Sequence, residues 1–293
     1  MHMHTIYSDG DLYPSELVTK ARDIGLKAIS VTDHDTVDGL ESVERECKKM
    51  RLQFIPGIEF TTNFDPQGIE VHVLGYGFDK DDPYLQKKLE ITKKRAWKYA
   101  DEMVDLLSSH GWLVDYSRLE SAKGIITKHD IALAVVNRDM STYEFHDLWL
   151  TEKSKYFIDV EKFQIEEAIE IIHKAGGKAV GAHMIRTLDQ YNSLPLLADV
   201  VDHFVKCGID GFEVFYGKSN WQQVKSMLEL CRTYGLIITG GSDYHGPGRI
   251  GRCPLGSYNV HNFNHDEEKL LNILSKSPIP ASESTAENKD LVI

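Results

Sequence analysis

Two separate segments of the sequence place potential metal ligands at alternate positions. The segment "MHMH" sets His2 and His4 two residues apart, and "SDYH" sets Asp243 and His245 at the same spacing. In an extended backbone, residues i and i+2 point to the same face, so each pair presents two ligand atoms together. Imidazole and carboxylate groups together suit Zn, Mn or Fe. The two pairs therefore predict binding of divalent metal ions.

Further residues of these types lie in or directly after predicted β-strands. They are His34, Glu59, His72 and His183. Because the loops at the carboxyl ends of parallel strands form functional sites on a rigid scaffold, we expect these side chains to converge. No cysteine is among the candidates, which favours an open catalytic metal site over a closed structural zinc site.

Apolar periodicity predicts the elements that must position these residues. Residues 14–25 have helical spacing, and "LKAISVTDHD" reads as a buried strand that ends in charged residues. Residues 52–60 and 69–78 predict two more strands. The alternation resumes after about residue 160, so the sequence predicts an α/β fold with a parallel sheet or barrel.

Between these regions the pattern changes. Residues 81–159 read as several helices with no convincing strand among them. We therefore expect one α/β domain formed by residues 1–80 and 160–293, interrupted by a helical insertion over residues 81–159.

Composition limits the classes of protein to which the chain can belong. The chain has 293 residues and a formal net charge of -12, which disfavours non-specific binding to nucleic acid or to an anionic membrane. Its four cysteines lack paired spacing, no signal-peptide pattern precedes them, and no apolar run approaches the length of a membrane span. We expect a cytoplasmic protein with reduced thiols and no membrane partner.

Six segments together resemble the successive motifs of the PHP (polymerase and histidinol phosphatase) superfamily. They are "HMHTIYSDG", "LKAISVTDHDTVDGL", "IPGIEFTT", "VHVLGYGFD", "AHMIR" and "GSDYHG". The combination is most similar to the trinuclear metal-dependent phosphoesterases, a branch that includes 3',5'-nucleotide bisphosphate phosphatases and RNase AM. The resemblance implies a distorted (β/α)7 PHP barrel whose helical insertion caps the active site.

The resemblance also implies two to three divalent ions (Mn, Fe or Zn) and their ligands. One ion would be held by His2, His4, Glu59 and Asp243. A second would be held by Glu59, as a bridge, with His72 and His183. A third would be held by Asp9, His34 and His245. Two positions depart from the family pattern, since His2 follows only Met1 and Met184 follows His183 where the family commonly has proline.

The resemblance assigns further roles around the ions. Catalytic roles fall to Glu59, Asp243 and His245, with a metal-bridged hydroxide as the nucleophile. Substrate-binding roles fall to Arg186, Lys128 and His129, which would contact phosphate. Orienting roles, for His34 or its loop, fall to Asp33 and Asp35.

The function implied is that of a metal-dependent phosphoesterase acting on a small phosphorylated metabolite or nucleotide. A cyclic phosphodiesterase, a 5'-3' exoribonuclease on short RNA and a histidinol phosphatase are alternatives within the class. An amidohydrolase-like C-N hydrolase is another, although a third ion suits phosphate better than a neutral amide. A non-enzymatic metal-stabilised module is a further alternative, against which the complete ligand set argues. The sequence leaves the oligomeric state open.

Overall fold

A computed structural model describes residues 1–64, 68–152, 154–247 and 253–257. The strands are β1 (Ala28–Ile29), β2 (Gln53–Phe54), β3 (Gly57–Phe64), β4 (Ile69–Tyr76), β5 (Phe163–Gln164), β6 (Lys178–Gly181), β7 (Gly211–Tyr216) and β8 (Ile237–Gly241). The helices are α1 (Pro14–Asp23), α2 (Leu40–Met50), α3 (Pro83–Ser109), α4 (Tyr116–Glu120), α5 (Lys128–Ala134), α6 (Thr142–Trp149), α7 (Ile165–Lys174), α8 (Met184–Gln190), α9 (Leu197–Lys206) and α10 (Trp221–Tyr234). The α/β fold class is confirmed.

Within the described residues, six strands form one sheet in the order β5-β3-β4-β6-β7-β8, and β1 pairs with β2 separately. The prediction of a parallel sheet was wrong for β4, which runs antiparallel to both β3 and β6. The chain between Phe64 and Ile69 is too short for the crossover of a dozen or more residues that a parallel pair requires. A hairpin therefore sets His72 of β4 directly opposite Thr61 of β3.

The single strand predicted over residues 52–60 is divided into β2 and β3. Pro56 lies between them, and a proline has no N–H to donate to a strand ladder. β2 pairs with β1, whereas β3 pairs with β4 and β5. Because the strand is divided at Pro56, β3 pairs with different strands from β2.

The amino-terminal segment joins the sheet through isolated bridges. Met3 bridges Tyr244 in parallel, and the Thr32 backbone N–H donates to the Met3 carbonyl at 2.9 Å. His34 in turn bridges Glu59 of β3. These contacts connect the segment after β8, through the chain's first residues, to β3. The closed seven-fold barrel stays a prediction, because among the described residues this stretch forms bridges instead of a regular strand.

The helices between β4 and β5 pack around an apolar cluster of their own. Its buried members include Tyr99 and Met103 of α3, Ile131 of α5 and Phe145 of α6. A separate cluster contains residues of the sheet, of the remaining helices and of the first turns of α3, among them Leu85 and Leu89. Helix α8, which directly follows His183, was not predicted from the sequence. Among the described residues, no helix has the length and apolar composition to cross a membrane.

Candidate metal centre and adjoining cavity

A fully buried glutamate, Glu59 of β3, lies at the centre of the histidine cluster. Its Oε2 lies 2.9 Å from His2 Nε2 and 3.1 Å from His4 Nε2. Its Oε1 lies 2.9 Å from His72 Nδ1 and 3.2 Å from His183 Nε2. The two oxygens of one carboxylate therefore face two sets of imidazoles, which is the arrangement that a bridging ligand needs.

The first group of potential ligands has donor atoms that all lie within 4.8 Å of one another. Its members are His2, His4, Glu59 and Asp243, and all are buried. Asp243 Oδ1 lies 3.4 Å from His2 Nε2 and 3.3 Å from His4 Nε2. The structure thus brings together the four residues assigned to the first ion.

A second group surrounds Asp9. Its members are His4, Asp9, His34 and His245. Asp9 Oδ2 lies 3.1 Å from His245 Nε2, and Asp9 Oδ1 lies 3.7 Å from His4 Nδ1. Asp9 does not cap α1, whose N-cap is Tyr13. The group contains the three residues assigned to the third ion together with His4.

A tight turn places Asp9 beside these histidines. The backbone N–H groups of Ser8 and Gly10 both donate to the Thr5 carbonyl, at 3.1 and 2.9 Å. A Cβ atom at Gly10 would lie 2.5 Å from the His4 carbonyl oxygen, inside van der Waals contact. Glycine is therefore required for the turn to bring Asp9 back to His4.

The third group differs from the set that the sequence assigned to the second ion. Its members are His34, Glu59 and His72, whereas His183 was expected in place of His34. His183 keeps its contact with Glu59, at 3.2 Å. His34 and His4 each belong to two groups, so the three candidate ligand sets share residues.

The donor set fits divalent metal ions. Both ring nitrogens of His4 are buried without a hydrogen-bond partner of acceptable geometry in the described parts of the chain, although carboxylate oxygens lie near. Such unsatisfied nitrogens are costly in an interior unless they bind something. A metal ion would satisfy them, and mixed imidazole and carboxylate ligands suit Zn, Mn or Fe.

The surroundings within the cluster shift the pKa values of the imidazoles in opposite directions. Burial lowers the pKa of His34 to about 3, so its ring is neutral near pH 7. Burial also lowers the pKa of His4, but contacts with Asp243 and Glu59 outweigh burial and raise it to about 9. Likewise, Glu59 and Glu70 overcome burial and raise the pKa of His72 to about 10. Protons on His4 and His72 thus balance the negative charge of the buried carboxylates. Both rings must lose such a proton before they can bind a metal ion.

Glu213 of β7 supports the cluster from behind, and sequence reasoning missed it. Its carboxylate lies 3.1 Å from His2 Nδ1 and accepts a 3.0 Å hydrogen bond from the His183 backbone N–H. A carboxylate on the far ring nitrogen fixes the orientation of a metal-ligating histidine. The available signal was a lone glutamate within the apolar strand "GFEVFY", since a buried charge needs a partner.

Asp33 anchors the loop after β1 to the amino-terminal segment. It accepts hydrogen bonds from the Thr5 N–H at 2.7 Å, the Thr5 hydroxyl at 2.6 Å and the Ser8 hydroxyl at 2.8 Å. Asp35 accepts a 3.2 Å bond from the Thr61 N–H of β3. Both aspartates therefore hold backbone around His34.

Strained backbone accompanies the site. His183, Asp35 and Asp243 all have positive φ angles, of 23°, 52° and 49°. Such conformations cost about 1 kcal/mol or more in residues other than glycine, and they concentrate at functional sites. For Asp243 the angle also corrects an expectation, because "SDYH" is not an extended strand: β8 ends at Gly241.

Arg186, in the first turn of α8, lies within the cluster. Its Nη1 donates to Asp243 Oδ2 at 2.7 Å, while Asp243 Oδ1 faces His2 and His4. The side chain keeps an exposed fraction of 21%. Arg186 therefore holds Asp243 in place and stays accessible from solvent.

A cavity of about 420 Å³ joins the cluster to the insertion. Asp9, His34 and His72 line its inner end, and Lys128 and His129 of α5 line its outer end. The structure thus brings both predicted insertion residues to the space beside the cluster. Burial lowers the pKa of Lys128, because desolvation disfavours its charge.

The cavity also holds polar side chains that the sequence did not single out. Lys162 is nearly buried and donates to Glu70 at 2.9 Å, and Glu70 contacts His72 Nε2 at 3.3 Å. Tyr143 stacks on His129, with 6.0 Å between ring centroids, and Tyr99 lies on the same wall. The wall therefore presents both cationic groups and aromatic rings.

Fold and site together define an α/β protein with a buried centre of histidines and carboxylates. The family model of the PHP domain matches residues 1–176. The chain belongs to the PHP domain family, and the resemblance is confirmed.

Known relatives extend over most of the chain. A 5'-3' exoribonuclease of Haemophilus influenzae is 30% identical over 251 residues, 84% of this chain and 89% of the relative. A phosphoribosyl 1,2-cyclic phosphate 1,2-diphosphodiesterase of Eggerthella lenta is 28% identical, over 89% of this chain and 98% of the relative. A solved structure from Bifidobacterium adolescentis, inferred to be a metal-dependent phosphoesterase, superimposes with a TM-score of 0.77 at 25% identity, over 92% of this chain and 94% of the other.

Proposed function

We propose that the protein is a metal-dependent phosphoesterase that hydrolyses phosphate esters of nucleotides. The observation that carries the proposal is the position of Glu59, whose two oxygens face separate sets of imidazoles, next to a cavity that His34 and His72 line. We propose two to three bound ions of Mn, Fe or Zn. Their ligands would be His2, His4, Asp9, His34, Glu59, His72, His183, Asp243 and His245.

The chemistry divides between the ions and the chain. Bound divalent ions would supply an activated water and neutralise charge on the phosphoryl oxygens. Glu59 and Asp243 set where those ions can sit, and His245 contacts Asp9 at the inner wall. Arg186 fixes Asp243 and keeps part of its guanidinium exposed for a phosphate oxygen.

The outer cavity wall supports a nucleotide as substrate. Lys128, His129 and Lys162 offer hydrogen-bond donors to phosphate, while Tyr143 offers a ring on which a base can stack. We therefore propose that residues 81–159 form a cap that selects the substrate.

Short RNA is the second candidate substrate, and the exoribonuclease relative favours it. A 5'-phosphorylated oligoribonucleotide presents the same phosphate ester and terminal base as a free nucleotide, so it would fit the same end of the cavity.

All four cysteines are free, which agrees with the cytoplasmic location that we propose.

A substrate panel tests the proposal. Purified protein loaded with Mn²⁺ would be given nucleoside mono- and bisphosphates, a 1,2-cyclic sugar phosphate, histidinol phosphate, 5'-phosphorylated short RNA and a neutral cyclic amide. We expect hydrolysis of a nucleotide or short RNA that requires metal and fails in Glu59→Gln. Metal-independent turnover, or turnover of the amide alone, would overturn the proposal.

A further inference from the structure

A further cluster of potential metal ligands lies outside the histidine centre. Glu166 of α7, His203 of α9 and Cys207 place one ligand atom each within 4.8 Å of one another. His203 Nε2 lies 3.6 Å from Glu166 Oε1. None of the three has a role in the centre described above.

The helices explain why these side chains meet. His203 and Cys207 are one helical turn apart at the end of α9, so they lie on the same face. Glu166 lies in the first turn of α7 and completes the group from a different element. The ring of Phe64 contacts the His203 imidazole edge-on, with 5.2 Å between centroids, which restricts its orientation.

We propose that Glu166, His203 and Cys207 bind one Zn²⁺ ion and thereby link α7 to α9. Thiolate, imidazole and carboxylate are all ligands that zinc accepts, and three protein ligands leave the fourth tetrahedral position for water. The side chains of Glu166 and His203 are 58% and 36% exposed, so the ion can enter from solvent.

Ligation changes the protonation of the thiol. Burial, with a contribution from Glu166, raises the pKa of Cys207 to about 12, so the sulfur carries its proton without metal. On binding, the S–H bond breaks, the proton passes to solvent, and the S–Zn bond forms with no change of oxidation state.

The link would act where the chain returns from the insertion. Gln164 of β5 directly precedes α7, and Phe163 pairs with Thr62 of β3 and lines the cavity wall. An ion that fixes the start of α7 therefore stabilises the strand next to the cavity.

Cobalt substitution distinguishes this site from the histidine centre, because a thiolate ligand gives Co²⁺ a sulfur-to-metal charge-transfer band in the near ultraviolet. The ligands assigned to the centre include no cysteine. We expect the band in Co²⁺-titrated wild type and in the matched control Lys206→Ala. We expect Cys207→Ser to lack it and to bind one Zn²⁺ fewer by elemental analysis.

Further variants keep the test decisive. If Cys207→Ser does not fold, His203→Ala and Glu166→Gln replace it, since each keeps the thiol and should weaken the band. The band should persist in Glu59→Gln, which separates this site from the main centre. No band in wild type with excess Co²⁺, or a band unchanged by loss of Cys207 or His203, would overturn the proposal.

Discussion

The two ends of the cavity hold their polar side chains in different ways. The histidine cluster lies directly behind the inner end, and there Glu59, His2 and Asp243 are buried, each in contact with several charged or polar partners from other elements. At the outer end, Lys128 and His129 are half-buried on the first turn of α5. Helix α5 packs in an apolar cluster separate from that of the sheet.

This contrast separates the chemistry from substrate choice. A change at the inner end disturbs several contacts at once, because the ligand groups share His4, His34 and Glu59. A change at the outer end removes one donor and leaves those groups intact. We therefore expect inner-end variants to affect metal content and turnover, and outer-end variants to affect substrate binding alone.

The largest effect is expected from Glu59→Gln. The amide cannot bridge two ligand sets as a carboxylate does, so we expect turnover to fall by about 10³-fold and bound metal to decrease. Phosphate release and elemental analysis would be compared with Glu229→Gln, an exposed position on α10. Full metal content with wild-type turnover would contradict the role given to Glu59.

Glu213→Gln should have the next largest effect, because it tests support of the inner end from behind. A neutral amide holds His2 and the His183 backbone less firmly, so we expect metal affinity to fall by about 10- to 100-fold. Chelator competition would measure the affinity, and turnover should recover at high metal concentration. Unchanged affinity would show that Glu213 only fills space.

Lys128→Ala tests the outer end. Loss of one charge-assisted hydrogen bond to phosphate should raise KM by about 10-fold, with metal content unchanged. The matched control is Lys123→Ala, since Lys123 is exposed on the same insertion and does not line the cavity. A fall in kcat with lost metal would instead place Lys128 in the centre.

Asp210→Asn should leave turnover unchanged and reduce stability only. Burial opposes ionisation of Asp210, but His173, Lys178 and the Ala179 N–H outweigh burial and lower its pKa below the usual 3.8. A lowered pKa stabilises the fold above about pH 4 and loses that contribution as pH falls through the folded-state pKa.

Urea unfolding across pH would test this last prediction. We expect Asp210→Asn to lower the free energy of unfolding by about 1 to 3 kcal/mol at pH 7, with the difference from wild type shrinking in acid. Asp105→Asn, at an exposed position on α3, is the control. A difference that grows in acid would contradict the sign.

The spacing of residues in the sequence predicted many of the candidate metal ligands at the inner end, but fewer of the contacts that hold those ligands in place. His2 and His4 were predicted to face one side, and in the structure both contact Glu59. The same spacing argument did not apply to Asp243, whose left-handed backbone lies beyond β8. Its side chain reaches the cluster because Arg186 holds its other oxygen, a contact between distant residues that spacing cannot reveal.

The sheet, too, could be predicted only in part from the sequence. Alternation of apolar and polar residues identified β4. Apolar residues at helical spacing identified α1 and α7. Pairing direction was not accessible from that pattern, since it depends on the short link between β3 and β4. Glu213 was missed for a related reason, because its partners, His2 and His183, come from far along the chain.

Anomalous diffraction from crystals grown with Mn²⁺ tests the central claim most directly. The account predicts strong peaks among His2, His4, Glu59 and Asp243, and beside Asp9 and His245, that disappear after chelation. The account would be contradicted by a map that shows Mn²⁺ at full occupancy at other positions but no peak at these two, with the imidazoles hydrogen-bonded directly to the carboxylates.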